Sequence, residues 1–326
     1  MTTAPGRQRQ RPHEPTGPAD WSCSTRRALA LYAAHGGSDA VPASVEAART
    51  DPAVAALAGA APETGTITEH VLDTPGHPLP ARVYRPSDAG ESGPPLPGIV
   101  YFHGGGFVVG GLDSHHGWVA ALAEATGRIV VAVDYRLAPE HPFPAAAEDA
   151  HAATLHLGAH ARDFGIDPAH LAVAGDSAGA NLAAGVAQRA ARTDLRLDHQ
   201  ILVVPWLTPV APEPSRTEHA TGYLLTDALL SWFLEHYAAP AHYGDPLLNP
   251  GLAADLTGLA PATVVTAELD PLRDEGTAYL ARLRAAGVDA HHQQLEGAMH
   301  LFNLAGAVGD EVIEAAADAI AERLRL

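Results

Sequence analysis

Lysine is absent from this chain of 326 residues, cysteine occurs once, and aromatic residues make up only 6% of it. A single cysteine, Cys23, excludes an intrachain disulfide and fits a reducing cytoplasm. It lies in a polar N-terminal stretch, which speaks against a catalytic thiol. Without lysine, all 20 positive charges are arginine, set against 38 acidic residues for a net charge of −18. The arginines form no basic run, so nucleic acid and anionic membrane surfaces are poor candidates as partners. The missing lysine also removes the P-loop reading of any glycine-rich turn. No run of about 18 apolar residues exists, so no helix spans or stably inserts into a membrane. Arg26-Arg27 ahead of Ala28-Leu29-Ala30-Leu31 mimics a twin-arginine export signal, but the apolar run ends at His35-Gly36-Gly37. The segment reads as an amphipathic surface helix, and the expected location is cytoplasmic.

What is present is an ordinary globular composition, 47% hydrophobic and 18% charged, able to bury a large core. Residues 1–20, rich in Pro, Arg, Gln and Thr, read as a disordered tail. Two helical patterns follow at 24–35 and 43–58, the second interrupted by Pro52. From residue 65 the period changes. Strand patterns fall at 66–72, 81–84, 98–102, 129–133, 171–173, 201–204, 263–266 and 288–295. Helical patterns separate most of them, at 116–126, 144–160, 178–192, 273–286 and 310–325. Such alternation predicts an α/β fold with an eight-stranded, mostly parallel sheet and helices on both faces.

The rhythm breaks between 205 and 260, where Pro205, Pro209, Pro212 and Pro214 prevent a long regular element. One helix stands there, at 227–239, with Thr226 or Asp227 as its cap and an apolar stripe of Leu229, Leu230, Phe233, Leu234 and Tyr237. The expected division is a core of 61–205 plus 261–326, N-terminal cap helices at 21–60, and a cap insertion at 206–260, the two caps forming a lid over one end of the sheet.

The chemistry centres on Gly175-Asp176-Ser177-Ala178-Gly179, a G-x-S-x-G turn between a strand and an alanine-rich helix. Such a turn exposes the Ser177 hydroxyl and leaves the Ala178 amide free at a helix N-terminus. A nucleophilic serine needs a base, an acid to orient it, and donors for an oxyanion, all from loops after other strands. After the strand ending at Phe102 comes His103-Gly104-Gly105-Gly106-Phe107, whose bare Gly105 and Gly106 amides suit an oxyanion hole together with Ala178. After Ala267 come Glu268, Asp270 and Asp274. Asp270 holds the position of the acid, with the other two as competitors, and helix capping is its plainer role if Pro271 opens the next helix. After Leu295 comes His300, the base candidate among 19 histidines. The pairs His115-His116 and His291-His292 lack a third metal ligand and read as surface or edge histidines; no metal site is expected.

In this order the chain resembles the hormone-sensitive lipase family of serine esterases within the α/β-hydrolases. The matching blocks are the His103–Phe107 turn, Asp134-Tyr135-Arg136-Leu137-Ala138-Pro139-Glu140-His141-Pro142-Phe143-Pro144, the Gly175–Gly179 turn, Asp270-Pro271-Leu272-Arg273-Asp274-Glu275, and His300-Leu301-Phe302, over about residues 65–326. The last departs from the family's commoner His-Gly-Phe, which implies a slightly reshaped loop; residues 1–20 have no counterpart. The resemblance implies Ser177 as nucleophile, His300 as base, Asp270 as its orienter, Gly105, Gly106 and Ala178 as oxyanion donors, a two-part cap, and no cofactor. Asp134, Arg136 and Glu140 are expected to form a buried polar network beneath the site. Phe107, Trp206, Tyr223, Leu224, Trp232, Phe233 and Leu301 are the candidate pocket residues, with plain packing as the alternative for each. The expected activity is hydrolysis of short- to medium-chain acyl esters, acetyl esters among them. An amidase, deacetylase or acyltransferase acting on a secondary metabolite, and a non-catalytic receptor on the same fold, are the alternatives. The last strand and the 310–325 helix form a candidate homodimer edge.

Overall fold

The computed structural model describes residues 21–58, 65–89, 93–210, 213–304, 306 and 311–325. The expected tail at 1–20, together with Pro212, lies outside the described residues. The strands are β1 (Thr66–Leu72), β2 (Leu79–Arg85), β3 (Leu96–Phe102), β4 (Ile129–Val133), β5 (Ile166–Asp176), β6 (His199–Val203), β7 (Ala262–Leu269) and β8 (Ala290–Met299). They form one sheet in the order β1-β2-β4-β3-β5-β6-β7-β8. β2 pairs antiparallel with β1 and β4, and every pairing from β4 through β8 is parallel.

The helices are α1 (Cys23–Ala34), α2 (Val45–Arg49), α3 (Pro52–Ala55), α4 (His116–Thr126), α5 (Ala145–His160), α6 (Ala178–Ala190), α7 (Ser215–Glu218), α8 (Asp227–Tyr237), α9 (Arg273–Ala285) and α10 (Glu311–Leu324). Alternation along the central strands splits the core in two. Val100, Phe102, Val131, Val173, Leu202 and Val264 face α5, α6 and α9. Ile99, Tyr101, Val130, Ala174, Ile201 and Val265 face α4 and α10. Every residue of β4 is buried, as an unbroken Ile-Val-Val-Ala-Val run in a doubly covered strand requires. α6 lies deepest of the helices, with only Arg189 not buried, because its alanines and glycines let it run close against the sheet.

Several local readings change. β1 alternates in sequence but buries only Leu72, since it is the edge strand and bonds to β2 alone. The 43–58 helix is two short helices, broken where Asp51 caps α3 by accepting the Ala53 amide at 2.8 Å and Pro52 takes the first turn. Pro271 does not open the next helix; α9 begins at Arg273.

Parts of the N-terminal segment and of the segment after β6 meet the C-terminal end of β8. Ala28 of α1, Leu57, Leu224 and Met299 make a separate apolar cluster, with Tyr32, Tyr223 and Leu301 against it. Ser22 N–H and the Thr25 hydroxyl both donate to the Gly297 carbonyl, at 3.0 and 2.8 Å. α8 is capped by Thr226, whose hydroxyl accepts the Leu229 amide at 3.0 Å, and it buries Leu230, Phe233, Leu234 and Tyr237. Thr226→Ala removes this cap and is expected to destabilise the protein by about 1 kcal/mol, read as a lower urea midpoint at unchanged slope.

Candidate active site

Ser177 sits between β5 and α6 with φ 53° and ψ −117°, a backbone conformation that side-chain-bearing residues rarely adopt. Two glycines make the turn possible. A Cβ on Gly175 would stand 2.3 Å from the Gly179 backbone, and one on Gly179 would stand 1.9 Å from the Phe102 carbonyl oxygen. Bonds from the Ser177 amide to Val203 O at 2.9 Å and from the Trp206 amide to Ser177 O at 3.2 Å hold the conformation. The non-glycine residues at positive φ among the described residues are Phe107, Ser177, Val204 and Leu224, all at or next to this turn and its cavity.

Strand register brings the partners together. β3 and β5 are paired up to Phe102 with Gly175, so His103-Gly104 leave the sheet beside Asp176-Ser177. β7 and β8 are paired up to Leu269 with Met299, so the next residues, Asp270 and His300, emerge side by side. His300 Nε2 lies 2.9 Å from Ser177 Oγ, and His300 Nδ1 lies 2.9 Å from Asp270 Oδ2. All three are buried, Asp270 completely. The other Asp270 oxygen accepts the Leu272 amide at 2.8 Å, which fixes the carboxylate. The competing acids are engaged elsewhere. Glu268 accepts the Gly297 amide at 2.6 Å, and Asp274 accepts the Ser215 amide at 3.0 Å and pairs with Arg273.

The loop after β3 carries Gly105 at φ +112° and Gly106 at φ +59°. Neither of their amides, nor that of Ala178, has an acceptor among the described residues. Gly104 is held from beneath: its amide donates to Asp176 Oδ1 at 2.9 Å, and a Cβ there would stand 2.4 Å from Asp176 Oδ2. Asp176 also accepts from the Tyr101 hydroxyl and from His115 Nε2 at 3.2 Å. Burial works to raise the Asp176 carboxyl, but the attraction of His115 and the hydrogen bonds from His115 and Tyr101 outweigh it and hold the group well below the usual carboxylate range. His103, stacked on Tyr135, is pushed down to about 3 by burial and by His115, and is therefore neutral.

His115 is thus not a surface residue. Packing of α4 against the sheet buries it to 3% exposure between Ser114 and Asp176. Nothing local to His115 shows that the start of α4 turns it inward. His116 bonds the Tyr84 hydroxyl at 2.9 Å, and is half-buried. His291 and His292 do have different neighbours, Asp289 and Thr266 respectively. Among the described residues no group of three or more His, Cys, Asp or Glu is arranged to hold a metal ion.

Ser177, His300, Gly105 and Gly106 line one cavity of about 850 Å³. Of the expected pocket residues, Trp206, Leu224, Phe233 and Leu301 line it as well. Phe107, Tyr223 and Trp232 do not. Phe107 is wholly buried and stacked on Tyr237 at 3.9 Å between ring centres, Tyr223 packs on Trp21 and His219, and Trp232 packs on His236. The network expected from Asp134, Arg136 and Glu140 does not form either. Arg136 makes a fork on Asp149 of α5 instead, Glu140 is exposed and paired with Arg49, and Asp134 joins neither.

The segment after β6 is held by a buried acid. Glu275 Oε2 accepts the amides of Leu207 and Thr208 at 2.8 and 2.7 Å, next to Trp206 in the cavity wall. Burial pushes the Glu275 carboxyl up to about 7, against the pull of those amides.

A family model described as alpha/beta hydrolase fold matches residues 99–304. The ethyl acetate hydrolase of Pseudomonas putida is 41% identical over 266 residues, 80% of this chain and 83% of that protein. An α/β hydrolase from the Lake Arreo metagenome superposes with a TM-score of 0.85 at 36% identity, over 94% of this chain and 99% of its own. A thermostable esterase of Pseudomonas putida superposes with a TM-score of 0.86 at 30% identity, over 95% and 98%.

Two outcomes follow from the site's construction. Gly179→Ala drives a Cβ into the Phe102 carbonyl and is expected to cost more than about 3 kcal/mol, read as loss of the cooperative thermal transition near the wild-type midpoint. For Glu275, the folded pKa of about 7 lies above the ordinary 4.5. The folded chain therefore holds this proton more tightly than the unfolded one. The resulting stability is fully present below the ordinary value and is lost as pH rises through the folded one. Glu275→Gln abolishes this titration while keeping an oxygen for both amides, so it should gain on the wild type from about pH 5 to about pH 8. Urea melts across that range test it; parallel curves for the two proteins would disprove it.

Proposed function

This chain belongs to the hormone-sensitive-lipase-like family of α/β-hydrolases, and we propose that it hydrolyses short- to medium-chain carboxylic esters through a Ser177 acyl-enzyme. The observation that carries this reading is the unbroken relay from Ser177 Oγ through His300 to Asp270, with both gaps at 2.9 Å, on a strained elbow. In the proposed mechanism His300 donates from Nδ1 to Asp270 and accepts the Ser177 proton at Nε2 as Oγ attacks the ester carbonyl. Asp270 keeps the imidazole oriented and stabilises its charged form. The carbonyl oxygen becomes an oxyanion, received by the Gly105, Gly106 and Ala178 amides, which have no acceptor among the described residues. Each such donor is worth on the order of 3 kcal/mol in the transition state. The imidazolium then protonates the departing alcohol. In the second half His300 takes a proton from water, which attacks the acyl-enzyme, and Ser177 is regenerated as the carboxylic acid leaves.

The cavity supports the substrate class. Trp206, Leu224, Leu230 and Phe233 give it an apolar wall able to take an acyl chain. The first relative named above, called an ethyl acetate hydrolase, fits a preference for the short end of the range. In this reading the α1–α3 segment and residues 206–260 act as the cap, and the clip from Gly222 N–H to Asp39 at 2.8 Å joins the two parts. The reading extends to a cytoplasmic enzyme and to a homodimer across β8 and α10, β8 being one of the two edges of the sheet.

Ser177→Ala is expected to lower kcat on p-nitrophenyl acetate and butyrate by about 10⁴-fold or more, with the protein still folded. Undiminished turnover would remove the assignment. A panel of p-nitrophenyl esters of increasing chain length should peak at short acyl groups; a maximum at long chains would contradict the substrate class.

A further inference from the structure

Arg49 is the last residue of α2, a five-residue helix that buries none of its own side chains. What α2 delivers is the Arg49 guanidinium, which reaches across the chain to two loops. Nε donates to the Val108 carbonyl at 2.9 Å and Nη2 to the Ala138 carbonyl at 3.0 Å. Nη1 and Nη2 also grip the Glu140 carboxylate at 2.7 and 2.8 Å. Glu140 is 55% exposed, so this ion pair by itself contributes little to stability. The carbonyl contacts have a different importance. Val108 and Val109 both donate their amides to the Gly105 carbonyl, at 3.0 and 2.9 Å, closing the turn that contains Gly105 and Gly106. Glycines at positive φ have no side chains to brace them. The turn is therefore held from outside itself: at its inner end by Asp176 on the Gly104 amide, and at its outer end by Arg49 on the Val108 carbonyl. Arg49 lines the same cavity as Ser177 and both glycines.

We propose that Arg49 is a positioning residue for the ester hydrolysis: by clamping Val108 and Ala138 it fixes the Gly105–Gly106 turn, and so makes the geometry of the oxyanion donors depend on the seating of the N-terminal helices. This rests on the reading of Gly105 and Gly106 as oxyanion donors. The planar fork suits the task, because two nitrogens can hold two carbonyls in fixed relation, which a lysine cannot do.

The test compares Arg49→Met, Arg49→Lys and Glu140→Gln with the wild type on p-nitrophenyl butyrate and on diethyl p-nitrophenyl phosphate, which phosphorylates an activated serine. Arg49→Met keeps the aliphatic stem, and its kcat should fall about 10- to 100-fold with KM changed less than about twofold. The phosphorylation rate should fall by the same factor, because that reaction places a charged oxygen on the same amides. Arg49→Lys should fall between Arg49→Met and the wild type. Glu140→Gln keeps the carbonyl contacts and should lose less than about threefold. In Arg49→Ala, added guanidinium ion should restore part of kcat. The proposal is overturned by wild-type kcat in Arg49→Met, by a rise in KM at unchanged kcat, or by equal losses in Arg49→Met and Glu140→Gln. Should Arg49→Met fail to fold, Arg49→Lys decides, and wild-type kcat there overturns the proposal. Ser177→Ala in the same assays separates the two readings: turnover persisting there removes the esterase reading, whereas an inactive Ser177→Ala beside a fully active Arg49→Met removes only the role of Arg49.

Discussion

The elbow at Ser177 exists because α6 can run against the carbonyl oxygens of Phe102 and His103, an approach that leaves room for a hydrogen and nothing larger at Gly179. The site depends on that contact. It sets the end of β5 against the end of β3, and so places the serine beside the glycine loop. It also lets the amide of Ser177 bond to β6, which maintains a backbone conformation that no isolated turn would keep. On the far side, the pairing of Leu269 with Met299 aligns Asp270 with His300. The geometry of the site is in this sense a property of strand register, and the loops only continue what the sheet has aligned.

Two buried acids then fix the walls beside the serine, and their environments push them in opposite directions. Asp176 has a histidine and a tyrosine hydroxyl as well as an amide, and it is held ionised. Glu275 receives amides at one oxygen only, and burial prevails. The first carries the glycine loop; the second carries the segment leaving β6, where Trp206 faces the cavity. The number and kind of donors that reach each carboxylate decides which of desolvation and hydrogen bonding wins. A third support, from Arg49, comes from outside the sheet and links the glycine loop to the N-terminal helices.

Much of this was legible in the chain. The strand and helix order, the eight strands, the start of α8 at Thr226 or Asp227, and the elbow were readable because each rests on residues close in sequence: apolar periodicity, a capping side chain, two glycines around a serine. The blocks resembling the hormone-sensitive lipase family placed His300 and Asp270 in one constellation. In most of the misses the cause was a side chain whose partner is remote. His115 reads as half of a surface pair until α4 docks. Arg136 meets Asp149 rather than Asp134, and Glu140 meets a residue 91 positions earlier in the chain, Arg49. Phe107 sits next to a cavity-lining glycine, yet it stacks on Tyr237 behind the loop.

The sequence by itself determined the sheet, the elbow and the order in which Ser177, Asp270 and His300 follow the strands, because backbone sterics and hydrophobic periodicity act over a few residues. Only the tertiary structure decided which aromatic rings reach the cavity, and that Asp176 and Arg49 hold the glycine loop. Those choices depend on where helices dock and how strands align across the sheet, and each is settled by contacts between residues tens to hundreds of positions apart, for which no local pattern in the chain carries a signal.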